Sequence, residues 1–187
     1  YYMSLTKTPI CDFGKKADDF RLKSTENKIL SLNDLKGEKG TLIMFICNHC
    51  PYVKAVIKDI VDDCKKLENY GVKSIAICSN DQINYPEDSF ENMILFSKKH
   101  DFGFPYLSDD TQNVAKKYEA VCTPDFFGYN NNLELQYRGR IRELKDLKPV
   151  RSGDSDLYIA MKQISEKGNG PDDQTPSMGC NIKWFNN

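Results

Sequence analysis

The sequence predicts a three-layer α/β/α sandwich around a mixed, partly parallel central sheet. Three observations carry this reading. Two short apolar runs, "TLIMFIC" (41–47) and "VKSIAIC" (72–78), have the length and composition of buried strands. Between them, Val53, Val56, Ile57, Ile60, Val61, Cys64 and Leu67 recur at helical spacing, one face of a helix laid on a sheet. Strands that alternate with such helices form parallel pairs with helices on both faces.

The elements follow in order. "DFRLKSTENKILSLNDLKGEKG" reads as two short strands around a polar turn, then a loop into the first core strand. The first long helix places Lys54, Lys58, Asp62, Asp63 and Lys66 on its wet side, and Gly71 stands where it ends. "NYPEDSFENMILFSKKH" starts a second helix. Pro86 suits its first turn, Glu87 and Asp88 its positive end, and Lys98 and Lys99 its negative end. "FPYLSD" is a short strand or turn, and "DDTQNVAKKYEA" a third helix with an acidic start. "CTPDFFGYN" and "LELQYRGRI", joined by an asparagine turn, form a hairpin of antiparallel edge strands. "SDLYIAMKQISEKG" closes the order with a helix. The tail is polar and turn-rich up to Cys180, Ile182, Trp184 and Phe185. It is expected to be flexible, with its aromatic end docked on the domain or on a second copy.

The 187 residues suit one domain, 1–187, with residues 1 to about 19 as an N-terminal segment and about 168 to 187 as a tail. A 40% hydrophobic and 28% charged composition is that of a soluble globular protein. Net charge is −1 with no separate basic block, which argues against a nucleic-acid partner. The longest apolar run, "LIMFIC", is far too short for a membrane span. The opening "YYMSL" lacks the features of a signal peptide, so Met3 reads as a natural start and the cytoplasm as the expected compartment.

Seven cysteines are an odd number, which excludes a fully paired disulfide framework. Cys64 lies on the helical stripe and Cys78 at a strand end, both as packing groups. Cys122 reads first as packing and second as a thiol near a redox site, while Cys11 has no assigned role.

Cys47-Asn48-His49-Cys50-Pro51 is different, because it sits where a strand becomes a helix. A helix start offers free N–H groups and partial positive charge, which favour a thiolate. Two intervening residues bring the sulfurs within bonding reach, so one thiol attacks a partner disulfide and the other resolves the mixed disulfide. Cys47, on an exposed lip, is the expected attacker, Cys50 the resolver, and His49 a donor or positive charge for Cys47. A zinc site is set aside because His100 lies on a polar helix end and the other cysteines are scattered. No metal and no cofactor are expected. Thr123-Pro124 is a second feature, since a proline opening a strand cannot donate to the ladder.

Together "ADDFRL", "FICNHCPYVKA", "NYPEDSFENM", "FPYLSDDTQNVAKKY", "VCTPDFFGYN", "YRGRI" and "PSMGCNIKW" resemble the thioredoxin superfamily. Within it, the chain is most similar to the peroxiredoxin-like branch near the alkyl hydroperoxide reductase/thiol-specific antioxidant proteins. The resemblance implies a thioredoxin fold with an N-terminal hairpin extension and Cys47/Cys50 as the redox pair. It also implies Pro124 as a cis-proline facing the pair, with Thr123 tuning the contact to an incoming chain. Asn48 and His49 are supporting residues.

Two departures stand out. Against the peroxiredoxin pattern P-x-x-x-T-x-x-C aligned on Cys50, the threonine place holds Cys47 and the proline place Ile43. Six residues before Cys47, where thioredoxins often bury an aspartate, stands Thr41. The "YRGR" arginines, Arg138 and Arg140, read as solvated, with thiolate stabilisation as the alternative. Cys180 is a further redox candidate as a C-terminal resolving thiol. The expected function is thiol–disulfide exchange with a protein or small-molecule thiol partner. Peroxide reduction and a redox-responsive binding role remain open beside it.

Overall fold

The computed structural model describes residues 4–186, so the start expected at Met3 lies outside the described residues. The chain opens with β1 (Leu5–Lys7), β2 (Arg21–Ser24), β3 (Ile29–Ser31), α1 (Leu32–Leu35), β4 (Gly40–Phe45) and α2 (Pro51–Glu68). It continues through β5 (Val72–Cys78), α3 (Phe90–Lys99), β6 (Tyr106–Ser108), α4 (Asn113–Tyr118), β7 (Cys122–Thr123) and β8 (Asp125–Asn130). It ends with β9 (Leu135–Tyr137), β10 (Leu144–Lys145), β11 (Lys148–Pro149), α5 (Asp156–Lys167) and β12 (Met178–Asn181).

Seven strands form the main sheet in the order β3-β2-β6-β5-β4-β8-β9. The inner strands β4, β5 and β6 are parallel, and the rest pair antiparallel. All six residues of β4 are buried because strand alternation sends them to two cores. Leu42 and Met44 join a core built with α2, α3 and α5, whereas Ile43 and Phe45 join one built with α1 and α4. The three layers expected from the sequence are present. Of the second hairpin only β9 is an edge, since β8 pairs with β4 along six residues.

α2 begins two residues earlier than its apolar period starts, with Pro51 in its first turn and Cys50 as its N-cap. Asp63, expected on the wet side, is buried and accepts a hydrogen bond from Ser155 Oγ, the N-cap of α5. Its neighbour Asp59 is buried between Arg142 (3.2 Å) and Arg151 (3.0 Å). These partners come from residues more than 80 positions away, so the acids read as solvent-facing along the helix alone.

The tail departs most from expectation. β12 is the middle strand of a second sheet, β1-β12-β7, and pairs antiparallel on both sides. Ile182 is buried in the second core, and Phe185 N–H donates to Gln112 Oε1. β1 and β7 are three and two residues long, too short to show a period, and their pairing with β12 is remote in sequence. The β10–β11 hairpin was also missed. Its turn residues Asp146 and Leu147 have φ of 50° and 59°, the primed geometry usually signalled by Asn-Gly. Among the described residues, no helix is long and apolar enough to cross a membrane.

Candidate active site

β4 delivers the cysteine segment. After Phe45 the chain keeps one more sheet bond, Ile46 N–H to Ile77 O, and then turns into α2. Cys47 and Cys50 bracket this turn, and both are buried, at 1% and 0% exposure. The exposed lip expected for Cys47 is therefore absent. The reason is the segment facing it, where the Thr123–Pro124 peptide bond is cis and β12 lies alongside. Cys47 Sγ is 3.5 Å from Thr123 Oγ1, and Cys50 Sγ is 3.3 Å from Thr123 O. Pro124 thus stands beside the cysteines, as the resemblance implied.

The two residues between the cysteines are tied to a short 3-10 turn, Pro86–Asp88, ahead of α3. Asp88 was expected at the positive end of that helix. Ser89 caps it instead, and Asp88 is wholly buried beneath the cysteine loop. Its carboxylate accepts from Asn48 N–H (2.8 Å) and Asn80 Nδ2 (2.9 Å), and it pairs with His49 Nδ1 at 2.6 Å. Asn48 also donates to Glu87 O and accepts from the buried Tyr106 hydroxyl. His49 stacks on Tyr85 with an interplanar angle of 7°. Its partner is Asp88 rather than Cys47, and that hydrogen bond raises its pKa above the ordinary histidine value.

The two thiols differ in acidity because they differ in donors. Burial pushes Cys47 well above a normal thiol, and the Asp88 charge adds to this. Cys50 goes the other way. Hydrogen bonds from Cys180 and Cys47 lower it most, and Thr123 and the Val53 N–H of the first helical turn assist. The remaining cysteines stay protonated, since burial raises Cys64 to about 12 and Cys11 to about 11, and also raises Cys78 and Cys122. Cys122 Sγ donates to Pro124 O and packs beneath the loop.

Cys180 is brought directly into the site, buried, with its Sγ 2.8 Å from Cys50 Sγ. Of the "YRGR" arginines, Arg138 is not solvated, while Arg140 is half-buried. Arg138 is buried on Asp125 at 2.9 Å, and Arg140 pairs with Asp156 at 2.6 Å. Neither is available to hold a thiolate. Thr41, at the place of the missing aspartate, is buried and accepts from Gly37 N–H. The functional residue missed in the sequence is Asp88, whose only signal is an acid two residues after the proline of a tyrosine-proline step.

Ligand atoms of Cys47, His49 and Asp88 lie within 4.8 Å of one another. The fold thus gathers a donor set that sequence spacing did not suggest. Both Asp88 oxygens are already occupied by Asn48, Asn80 and His49, so a cation there would displace those bonds. A groove of about 200 Å³ opens beside Pro124, lined by Tyr52, Phe126, Ser177 and Met178 among others.

The model of the AhpC/TSA family matches residues 13–144, which include the cysteine turn, Asp88 and the cis-proline. The chain belongs to the AhpC/TSA family. A Coxiella burnetii protein assigned as a peroxiredoxin, bcp, is 28% identical over 117 residues, 63% of this chain and 72% of that protein. The thiol-disulfide oxidoreductase ResA of Bacillus subtilis is 26% identical over 117 residues, 63% of this chain and 61% of ResA. The crystal structure of an uncharacterized conserved protein from Geobacillus kaustophilus covers 99% of this chain and 98% of its own. It has 38% identity and a TM-score of 0.93. The expected thioredoxin fold and peroxiredoxin-like branch are borne out.

Proposed function

We propose that this AhpC/TSA-family chain is a thiol–disulfide oxidoreductase that exchanges a Cys47–Cys50 disulfide with a protein or small-molecule thiol partner. The observation that carries the reading is the place of Cys50 as N-cap of α2, with its Sγ 2.8 Å from Cys180 Sγ and 3.3 Å from Thr123 O, beside cis-Pro124. The relationship to ResA, a thiol-disulfide oxidoreductase by name, supports it.

The roles expected from the sequence are exchanged in this reading. The Cys50 thiolate attacks one sulfur of the partner disulfide, and the other partner sulfur leaves as a thiolate. Cys47 then gives up its proton and attacks Cys50 Sγ. The Cys47–Cys50 bond forms, the mixed disulfide breaks, and the second partner sulfur is released. Two protein thiols are oxidised and one partner disulfide is reduced. The partner thiolate released in the first step takes up the Cys47 proton, and the His49–Asp88 pair lies within 4.8 Å of Cys47 Sγ.

The test is turnover of a protein disulfide with glutathione as electron donor. Cys50→Ser abolishes turnover, and the Cys47→Ser/Cys180→Ser double variant accumulates the mixed disulfide. Stabilising the reduced form places the potential above thioredoxin's roughly −270 mV. A glutathione equilibrium at or below that value refutes the thiolate argument.

A second reading, peroxide reduction, is favoured by the Cys50-Pro51 step and by the relationship to bcp. Peroxide oxidation that is fast and lost in Cys50→Ser would select it. A pair that cycles between thiol and disulfide without turning over any disulfide substrate would instead indicate a redox-responsive binding protein.

A further inference from the structure

We propose that Cys180 is a built-in exchange partner of Cys50, carried on a strand that occupies the place of a substrate chain. The inference rests on the proposed use of Cys47 and Cys50. In the oxidised protein the disulfide then moves between Cys47–Cys50 and Cys50–Cys180.

The geometry is fixed by the second sheet. β7 ends at Thr123, one residue before cis-Pro124, and exposes a backbone edge next to both cysteines. An open edge of this kind accepts an added strand from another chain. Here β12 of the same chain fills it, with Cys180 opposite Thr123 and Asn181 opposite Cys122. This register puts Cys180 Sγ 2.8 Å from Cys50 Sγ. Ser177 Oγ donates to Pro124 O at 2.7 Å and pins the strand on the proline side. The approach is so close that a Cβ on Gly179 would lie 1.9 Å from Thr123 O and 3.1 Å from Pro124 N. Glycine is the side chain that this contact permits.

The step balances within the protein. Cys180 loses its proton and its sulfur attacks Cys50 Sγ in the Cys47–Cys50 disulfide. The Cys50–Cys180 bond forms and the Cys47–Cys50 bond breaks. The electron pair leaves on Cys47 Sγ, which takes up the proton that Cys180 gave up. One disulfide and one thiol are present before and after, so no outside oxidant or reductant enters. A thiol held in contact with its target reacts as an intramolecular group and competes with any partner thiol for Cys50.

The experiment maps disulfides in wild type, Cys47→Ser and Cys180→Ser after oxidation in a glutathione disulfide buffer, acid quench and non-reducing peptide mass analysis. The expected result is a Cys50–Cys180 link within monomeric Cys47→Ser and both links in quenched wild type. In Cys47→Ser, glutathione on Cys50 is lost at least about tenfold faster than in the Cys47→Ser/Cys180→Ser double variant. Cys50 held as a stable glutathione adduct beside a Cys180 thiol in Cys47→Ser overturns the inference and leaves the Cys47–Cys50 reading intact. Absence of a Cys47–Cys50 link in Cys180→Ser overturns that reading, and the relay with it. Wild-type mapping decides the matter if a serine variant does not fold, because a wild type lacking any Cys50–Cys180 link refutes the relay by itself.

Discussion

Replacing Asp88 by asparagine isolates the charge that anchors the cysteine loop while keeping its shape. One oxygen still accepts from Asn48 N–H, the 2.8 Å bond of the native structure. The new amide nitrogen faces Asn80 Nδ2 and His49 Nδ1, which lie 2.9 Å and 2.6 Å from the native oxygen. Two hydrogen bonds to a charged group are lost, each worth about 1.5–3 kcal/mol. A neutral His49 can turn Nδ1 into an acceptor for that amide and recover roughly a third. The net cost is about 3 kcal/mol near pH 6. With a guanidinium slope of about 4 kcal/mol per molar, the unfolding midpoint falls by roughly 0.7 M.

The sign of the pH dependence follows from His49. Asp88 raises its pKa in the folded state, so this stabilisation is fully present below the unfolded value of about 6.5. It is lost as pH rises through the raised folded value. The gap between wild type and Asp88→Asn therefore narrows as pH rises above the unfolded histidine value of about 6.5. Asp88 also holds Cys47 up, so alkylation of Cys47 in the variant should begin at lower pH. Equal midpoints near pH 6, or a gap that widens with pH, would refute the assignment of Asp88 as the charged anchor.

Three further outcomes are expected. The reduced protein should show a thiolate ultraviolet band titrating below the ordinary thiol value of about 8.5, retained in Cys47→Ser and absent in Cys50→Ser. A band that survives in Cys50→Ser would place the thiolate on another sulfur. Gly179→Ala, which forces β12 off Thr123, should cost about 1–3 kcal/mol in denaturant unfolding. It should also slow formation of any Cys50–Cys180 link, and an unchanged rate would show that the strand's close approach is not what aligns the thiols. Arg138→Leu strands the buried Asp125 carboxylate and should cost about 3–5 kcal/mol, and a loss below 1 kcal/mol would mean that Asp125 finds another partner.

The layers of the fold were legible because they depend on local periodicity. β5 was read to the residue, and the face of α2 followed from its apolar spacing. The small sheet β1-β12-β7 was invisible for the opposite reason. Its strands hold two to four residues each, and their pairing joins segments more than fifty positions apart. Asp63, Asp88 and Arg138 were misplaced on the same ground, since a charged residue is read as solvated until its partner is known.

By itself the sequence determined the α/β sandwich and the strand-to-helix turn that holds Cys47 and Cys50. Those features rest on backbone preference and side-chain period, which act over a few residues. Only the tertiary structure decided which sulfur is acidic, which carboxylate anchors the loop, and that Cys180 lies beside Cys50. Thiol acidity is set by the donors within a few ångströms. Those donors come from α2, the Thr123 loop and the last strand, brought together by folding alone.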